Sequence, residues 1–191
     1  MKEFFNKLSL YVSAFIPLYF LVIIKLIVEI INENLSFNVL NTLMLIVNLM
    51  LILIGVIGFV KTIKTKSNSC KIKIIKHQNL TDQHFLGYFS LFVLFAISFE
   101  LEKVSMAFVY IIVLIFVGIV YLKNNLYYIN PFLNILGYSF HEITFVVENE
   151  KIQKTAMIFF KGAQLDSNRI YEVNLKNENF GFVYDKKEKI N

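Results

Sequence analysis

The chain has 191 residues, room for one domain or for a compact membrane bundle with an appendage. Hydrophobic residues make up 57% and charged ones only 17%, with a mean hydropathy of +0.60. A soluble domain is usually about 45–50% apolar, so lipid is the expected solvent for much of this surface. The net charge of +5 comes from Lys, with Arg169 the only Arg, in a chain rich in Ile, Asn, Phe and Lys. That is the vocabulary of an AT-rich bacterial genome, and it argues against treating each Lys as a nucleic-acid contact.

Four apolar runs follow in chain order: Leu8–Ile31, Val39–Val60, Phe85–Phe99 and Val104–Leu122. A spanning helix needs roughly 20 apolar residues. The third run is short and borrows Leu101 or sits where the bilayer thins. The first is too long, and lacks the small-residue site, for a cleaved signal peptide. The expected fold class is an α-helical polytopic membrane protein with four transmembrane helices (approximately 8–31, 39–60, 85–101 and 104–122). They would form a bundle over 1–122 with a loop at 61–84, followed by a small C-terminal cytoplasmic antiparallel β module at 141–191.

Within the first run, Lys25 and Glu29 lie four residues apart, on one helical face. Charge in hydrocarbon is costly, so such residues pair, face a bundle or reach water. Two readings stand: a snorkelling Lys25 beside an already hydrated Glu29 at a helix end, or a buried polar element that senses or gates. Pro17 earlier in the run is placed to kink the helix. In the second run Asn41 and Asn48 are seven apart and suit interhelical hydrogen bonds. Gly55 and Gly58, three apart, read as close-packing or flexibility points.

Lysine placement gives the orientation. Lys2 and Lys7 precede the first run, the link Asn32–Asn38 has no basic residue, and Lys61, Lys64, Lys66, Lys71, Lys73 and Lys76 follow the second run. Both termini and the Lys-rich loop are expected in the cytoplasm of a bacterial inner membrane. The six lysines set topology and attract anionic lipid, or form a docking surface for an acidic partner or nucleic acid. Direct base readout is not expected, since Arg and interleaved aromatics are missing.

Inside the loop, Lys71-Ile72-Lys73-Ile74 alternates with period two and reads as a strand. The tail repeats the pattern at His141–Val147, Thr155–Lys161, Arg169–Leu175 and Phe180–Tyr184, with polar links at Asn149–Lys151 and Lys176–Asn179. The loop strand cannot bury its Ile side chains alone and is expected to join the tail in a small antiparallel sheet or barrel. Between helices and tail, the linker 123–140 holds a short helix: Asn130 can cap it, Pro131 suits its first position and Gly137 its stop. Tyr127 and Tyr128 suit a membrane interface.

The stretch Asn125-Leu-Tyr-Tyr-Ile-Asn-Pro-Phe-Leu-Asn-Ile-Leu-Gly-Tyr138, leading from a membrane helix into strands, resembles the membrane subunit of the Kiwa anti-phage defence system, as does the block Cys70–Phe99. The likeness covers the third and fourth helices, the junction and the tail, and is weak over the first two helices. The resemblance implies an oligomeric inner-membrane subunit that holds a separate cytoplasmic DNA-binding effector and responds to phage at the envelope. Composition and spacing show none of this by themselves.

No constellation carries chemistry. Cys70 is the single cysteine, so no intramolecular disulfide forms. His77, His84 and His141, even with Cys70 and Asp82, lack zinc-ligand spacing. There is no phosphate-binding glycine loop and no nucleophile elbow, and the carboxylate pairs Glu100/Glu102 and Glu148/Glu150 fall in turns. No catalytic residue, metal or cofactor is expected. The function expected is a non-enzymatic membrane sensor or scaffold in anti-phage defence, with lipid, further copies of itself and a cytoplasmic effector as partners. The alternative is a small ion channel or transporter, whose polar path only Lys25, Glu29, Asn41 and Asn48 supply, without an inverted repeat.

Overall fold

The computed structural model describes residues 2–32, 39–64, 68–100, 103–124, 126, 130–147, 152–162, 165–167, 169–177 and 180–184. Lys66, Glu102, Tyr127, Tyr128, Glu148, Glu150 and the link 33–38 lie outside them. The chain forms two compact units, residues 1–62 with 85–132 and residues 63–84 with 133–191.

The first unit is helical: α1 (Lys2–Ala14), α2 (Ile16–Asn32), α3 (Val39–Lys64), α4 (Thr81–Ser98, mostly in this unit) and α5 (Val104–Lys123). The expected single first helix is broken at Phe15, and its arms Lys7–Ala14 and Ile16–Ile31 are bent by 40°. Pro17 supplies the cause, because it has no N–H for the Ser13 carbonyl and its ring crowds that carbonyl. Ser13 Oγ donates back to the Leu10 carbonyl at 2.9 Å, and Asn130 Nδ2 donates to Ser13 Oγ at 2.9 Å. Every residue from Leu10 to Tyr19 is buried, the signature of a helix surrounded on all sides. The broken helix is thus the core of this unit.

Neighbouring helices reach that core through glycines. A Cβ on Gly55 would sit 3.2 Å from Ile16 Cδ1 and 3.3 Å from Ser13 Cα, and one on Gly58 would collide with Ser9 Oγ. A Cβ on Gly118 of α5 would lie 3.0 Å from the Tyr11 ring. The Tyr11 hydroxyl donates to the Leu114 carbonyl of α5.

The expectation of four transmembrane helices is overturned. Among the described residues two helices, α3 and α5, are long and apolar enough to cross a membrane, or three spans result if the bent pair α1–α2 counts as one. α4 falls short because its first turn is Thr81-Asp82-Gln83-His84. Its apolar part, 85–98, covers about 21 Å at ~1.5 Å per residue, against a hydrocarbon core of about 30 Å.

The second unit corrects the other half of the expected fold class. In place of a C-terminal antiparallel module, five strands close into a barrel of order β1-β2-β3-β5-β4. These are β1 (Asn68–Asn79), β2 (Ser139–Val147), β3 (Gln153–Lys161), β4 (Ile170–Asn177) and β5 (Phe180–Tyr184). The loop strand β1 pairs antiparallel with both β2 and β4, and so completes the closure. β3 and β5 pair in parallel, the one departure from antiparallel order. Closure leaves no unpaired strand edge. The interior holds Ile72, Ile74, Ile143, Phe145, Ile158, Phe160, Tyr171, Val173 and Val183, the alternate residues that period two aims inward. A second, aromatic layer forms where alternation fails at Ile158-Phe159-Phe160. Phe159 packs 5.3 Å from Phe140 and 5.8 Å from Phe182, ring centre to ring centre.

The short helix α6 (Pro131–Ile135) leads into β2. Gly137, at φ +80°, ends it: its N–H donates to Asn134 O and that of Tyr138 to Leu133 O, both at 3.0 Å. The left-handed conformation favours glycine there.

Candidate functional site

The charged pair of α2 has a definite target. Lys25 Nζ donates to the Phe99 carbonyl at 2.7 Å and to the Ile97 carbonyl at 3.1 Å, at the end of α4. The last carbonyls of a helix have no intrahelical donor and carry partial negative charge, so an ammonium there both caps and neutralises. Glu29 Oε1 stands 3.6 Å from the same ammonium, with both side chains about one-fifth exposed (22% and 21%). At the following turn Glu100 is ion-paired with Lys103. The Lys103 hydrogen bond, then its charge, and more weakly that of Lys25, hold the Glu100 carboxyl below its usual range. Lys25, Glu29, Glu100 and Lys103 thus form a neutral cluster joining α2 to the turn between α4 and α5.

Asn48 is buried on α3; its Nδ2 donates to the Met44 carbonyl and its Oδ1 accepts from the Tyr110 hydroxyl of α5, both at 2.8 Å. Asn41 is also buried, near the start of α3. Asn48 therefore ties two helices together, and Tyr110, the partner, carries no sequence signal that distinguishes it from the other tyrosines.

The six lysines do not share one face of one element. Lys61 and Lys64 are exposed on the last turn of α3, and Lys66 lies outside the described residues. Lys71 and Lys73 alternate with the interior Ile72 and Ile74 and so stand on the barrel's outer surface. Lys71 is registered opposite Glu172 of β4, a favourable cross-strand combination. Between Ile74 and Lys76 the register shifts, a bulge that lets Lys76 remain exposed while His77 turns inward. The doublet Ile74-Ile75 breaks period two and is the sequence trace of this bulge.

That bulge brings His77 to face His141 of β2, with ring centres 5.9 Å apart. His141 Nε2 lies 2.9 Å from Ser139 Oγ, whose own hydroxyl donates to the Phe160 carbonyl at 3.3 Å. With the serine proton directed there, the imidazole donates through Nε2 and keeps a bare Nδ1. Burial, reinforced by the neighbouring His77, pushes the His141 imidazole down to about 4. The barrel register thus brings together two histidines that lie far apart in the sequence. No group of three or more His, Cys, Asp or Glu side chains forms a potential metal site among the described residues.

Fold and site together define a class: a bundle of apolar helices, with helices of membrane-crossing length, that carries a closed five-stranded barrel built partly from a loop between those helices. A family model described as anti-phage protein KwaA matches residues 6–183 of the chain's 191, and the chain belongs to that family. The match spans most of both units, and the family gives the chain a role in anti-phage defence. No curated protein and no solved structure matches it.

Proposed function

We propose that the chain is a non-enzymatic membrane scaffold and sensor of anti-phage defence, which presents its barrel to a cytoplasmic effector, a DNA-binding protein by the family resemblance. The observation that carries this reading is the way β1 is held. It starts four residues after α3 ends at Lys64, and a single residue, Leu80, separates it from α4. At its other end α4 is held to α2 by Lys25. Lys25 thus holds the far end of the helix that follows, in the chain, a strand without which the barrel does not close.

Lysine placement supports a bacterial inner membrane with the Lys-rich loop, and the barrel that its strand β1 joins, on the cytoplasmic side. Apolar side chains exposed on α3 and α5, among them Leu53, Ile57, Phe108 and Phe116, suit lipid and further copies of the chain in a homo-oligomer.

Affinity capture of the full chain from detergent extracts tests the scaffold. Replacing Lys64, Lys71 and Lys73 by Gln is expected to lower recovery of the effector, the more so at raised salt, without changing membrane insertion. Undiminished recovery would remove the barrel face as the docking surface. Lys25→Met is expected to leave recovery intact and blunt protection against phage. Full protection by that variant would remove the sensing role of the cluster.

A further inference from the structure

Helices α1 and α3 run antiparallel: Ser9 meets Gly58, and Ser13 meets Gly55. Small residues at both crossings let the backbones approach closely, and side chains on either flank leave a groove of about 360 Å³. One wall is the α1 stripe Phe5, Leu8 and Val12, and the other is the α3 stripe Ile54, Ile57 and Lys61. Both stripes follow the three-then-four spacing of one helical face.

The groove has a polarity gradient. Around Val12 and Ile54 its lining is wholly apolar. At the other end lie Ser9, Thr62 and Lys61, where the apolar run of α3 stops. Thr62 Oγ1 donates to the Gly58 carbonyl at 2.9 Å, so its hydrogen is committed. The Ser9 hydroxyl stands 3.5 Å from Thr62 Oγ1, too long for a strong bond, and can donate elsewhere. The long walls are open to what surrounds the bundle: Phe5 is 62% and Ile57 66% exposed.

We propose that this groove is a binding site for one anionic phospholipid, with an acyl chain lying between the two stripes and the phosphate at Lys61 and the Ser9 hydroxyl. The groove's order of apolar depth, hydroxyl and cation matches that of such a lipid, and its cation sits at the end of a membrane-length helix, where headgroups lie. A zwitterionic lipid fills the same walls but brings a cationic group to Lys61. The site rests on the membrane reading and is independent of effector recruitment, which the capture experiment tests separately.

Native mass spectrometry of the delipidated full chain, titrated with phosphatidylglycerol and phosphatidylcholine of the same acyl chains, tests it. One phosphatidylglycerol should be retained about fivefold over phosphatidylcholine, which corresponds to the ~1 kcal/mol that one lysine contributes near anionic lipid. Lys61→Gln should erase the preference, and Lys64→Gln, one turn on and outside the groove, should keep it. Ile57→Trp, at an exposed position, should fill the groove and lower retention of both lipids. A preference that survives Lys61→Gln, one lost equally in Lys64→Gln, or retention unchanged by Ile57→Trp would each overturn the site.

Discussion

The Tyr110 hydroxyl on α5 meets the Asn48 amide oxygen on α3 at 2.8 Å, and both residues are buried. Each comes from a helix of membrane-crossing length, so the bond fixes the rotation of one against the other in a setting where water does not compete. Such polar ties average about 0.6 kcal/mol in membrane bundles, with a maximum near 1.7. Tyr110→Phe is expected to cost about that much, seen as a lower thermal transition in detergent. Combined with Asn48→Ala it should cost less than the two separate losses added. Strict additivity in that cycle would show that the two groups are not coupled.

The barrel depends on a strand that lies far from the others in sequence. Ile74 is fully buried in its interior, and its strand bridges β2 and β4. Ile74→Ala should cost about 2–5 kcal/mol, enough to expose the tail beyond Ser139 to limited proteolysis. Lys73→Ala, next to it but on the outer surface, should leave the digestion pattern unchanged. An Ile74→Ala tail as resistant as the parent would refute the bridging role.

His141 predicts an acid limit for the barrel. Its folded pKa, about 4, lies below the ordinary histidine value of 6.5, so the unfolded chain binds its proton first. The stability this residue permits is whole above pH 6.5 and is lost as pH falls from there towards 4. Thermal unfolding measured across that window should show the loss, and His141→Phe, which fills the space without titrating, should flatten it. An equal slope in the variant would assign the acid sensitivity to other groups.

Much of the local structure is legible in the residues. Pro131 and Gly137 bound a short helix because one suits a first turn and the other tolerates a positive φ. The period-two segments of loop and tail become strands because alternation lets one face be buried. Pro17 marks the bend in the first run, since a missing N–H acts wherever the chain goes. The family is legible too, from the junction ahead of the tail.

What the sequence by itself determined is the list of segments and their solvent: which runs are apolar, which alternate, and where each stops. Only the tertiary structure decided what each segment meets. Thr81–His84 wind into the helix of the third apolar run, one residue after β1 ends. The strands close into a barrel with β3 and β5 parallel, because closure depends on pairings between residues far apart. Lys25 finds carbonyls 72 and 74 residues away, and His77 of the loop strand faces His141 of β2. Periodicity, turn chemistry and hydropathy act over a few neighbouring residues. Partner choice is settled by packing and hydrogen bonding across the whole fold, where no short window of sequence records it.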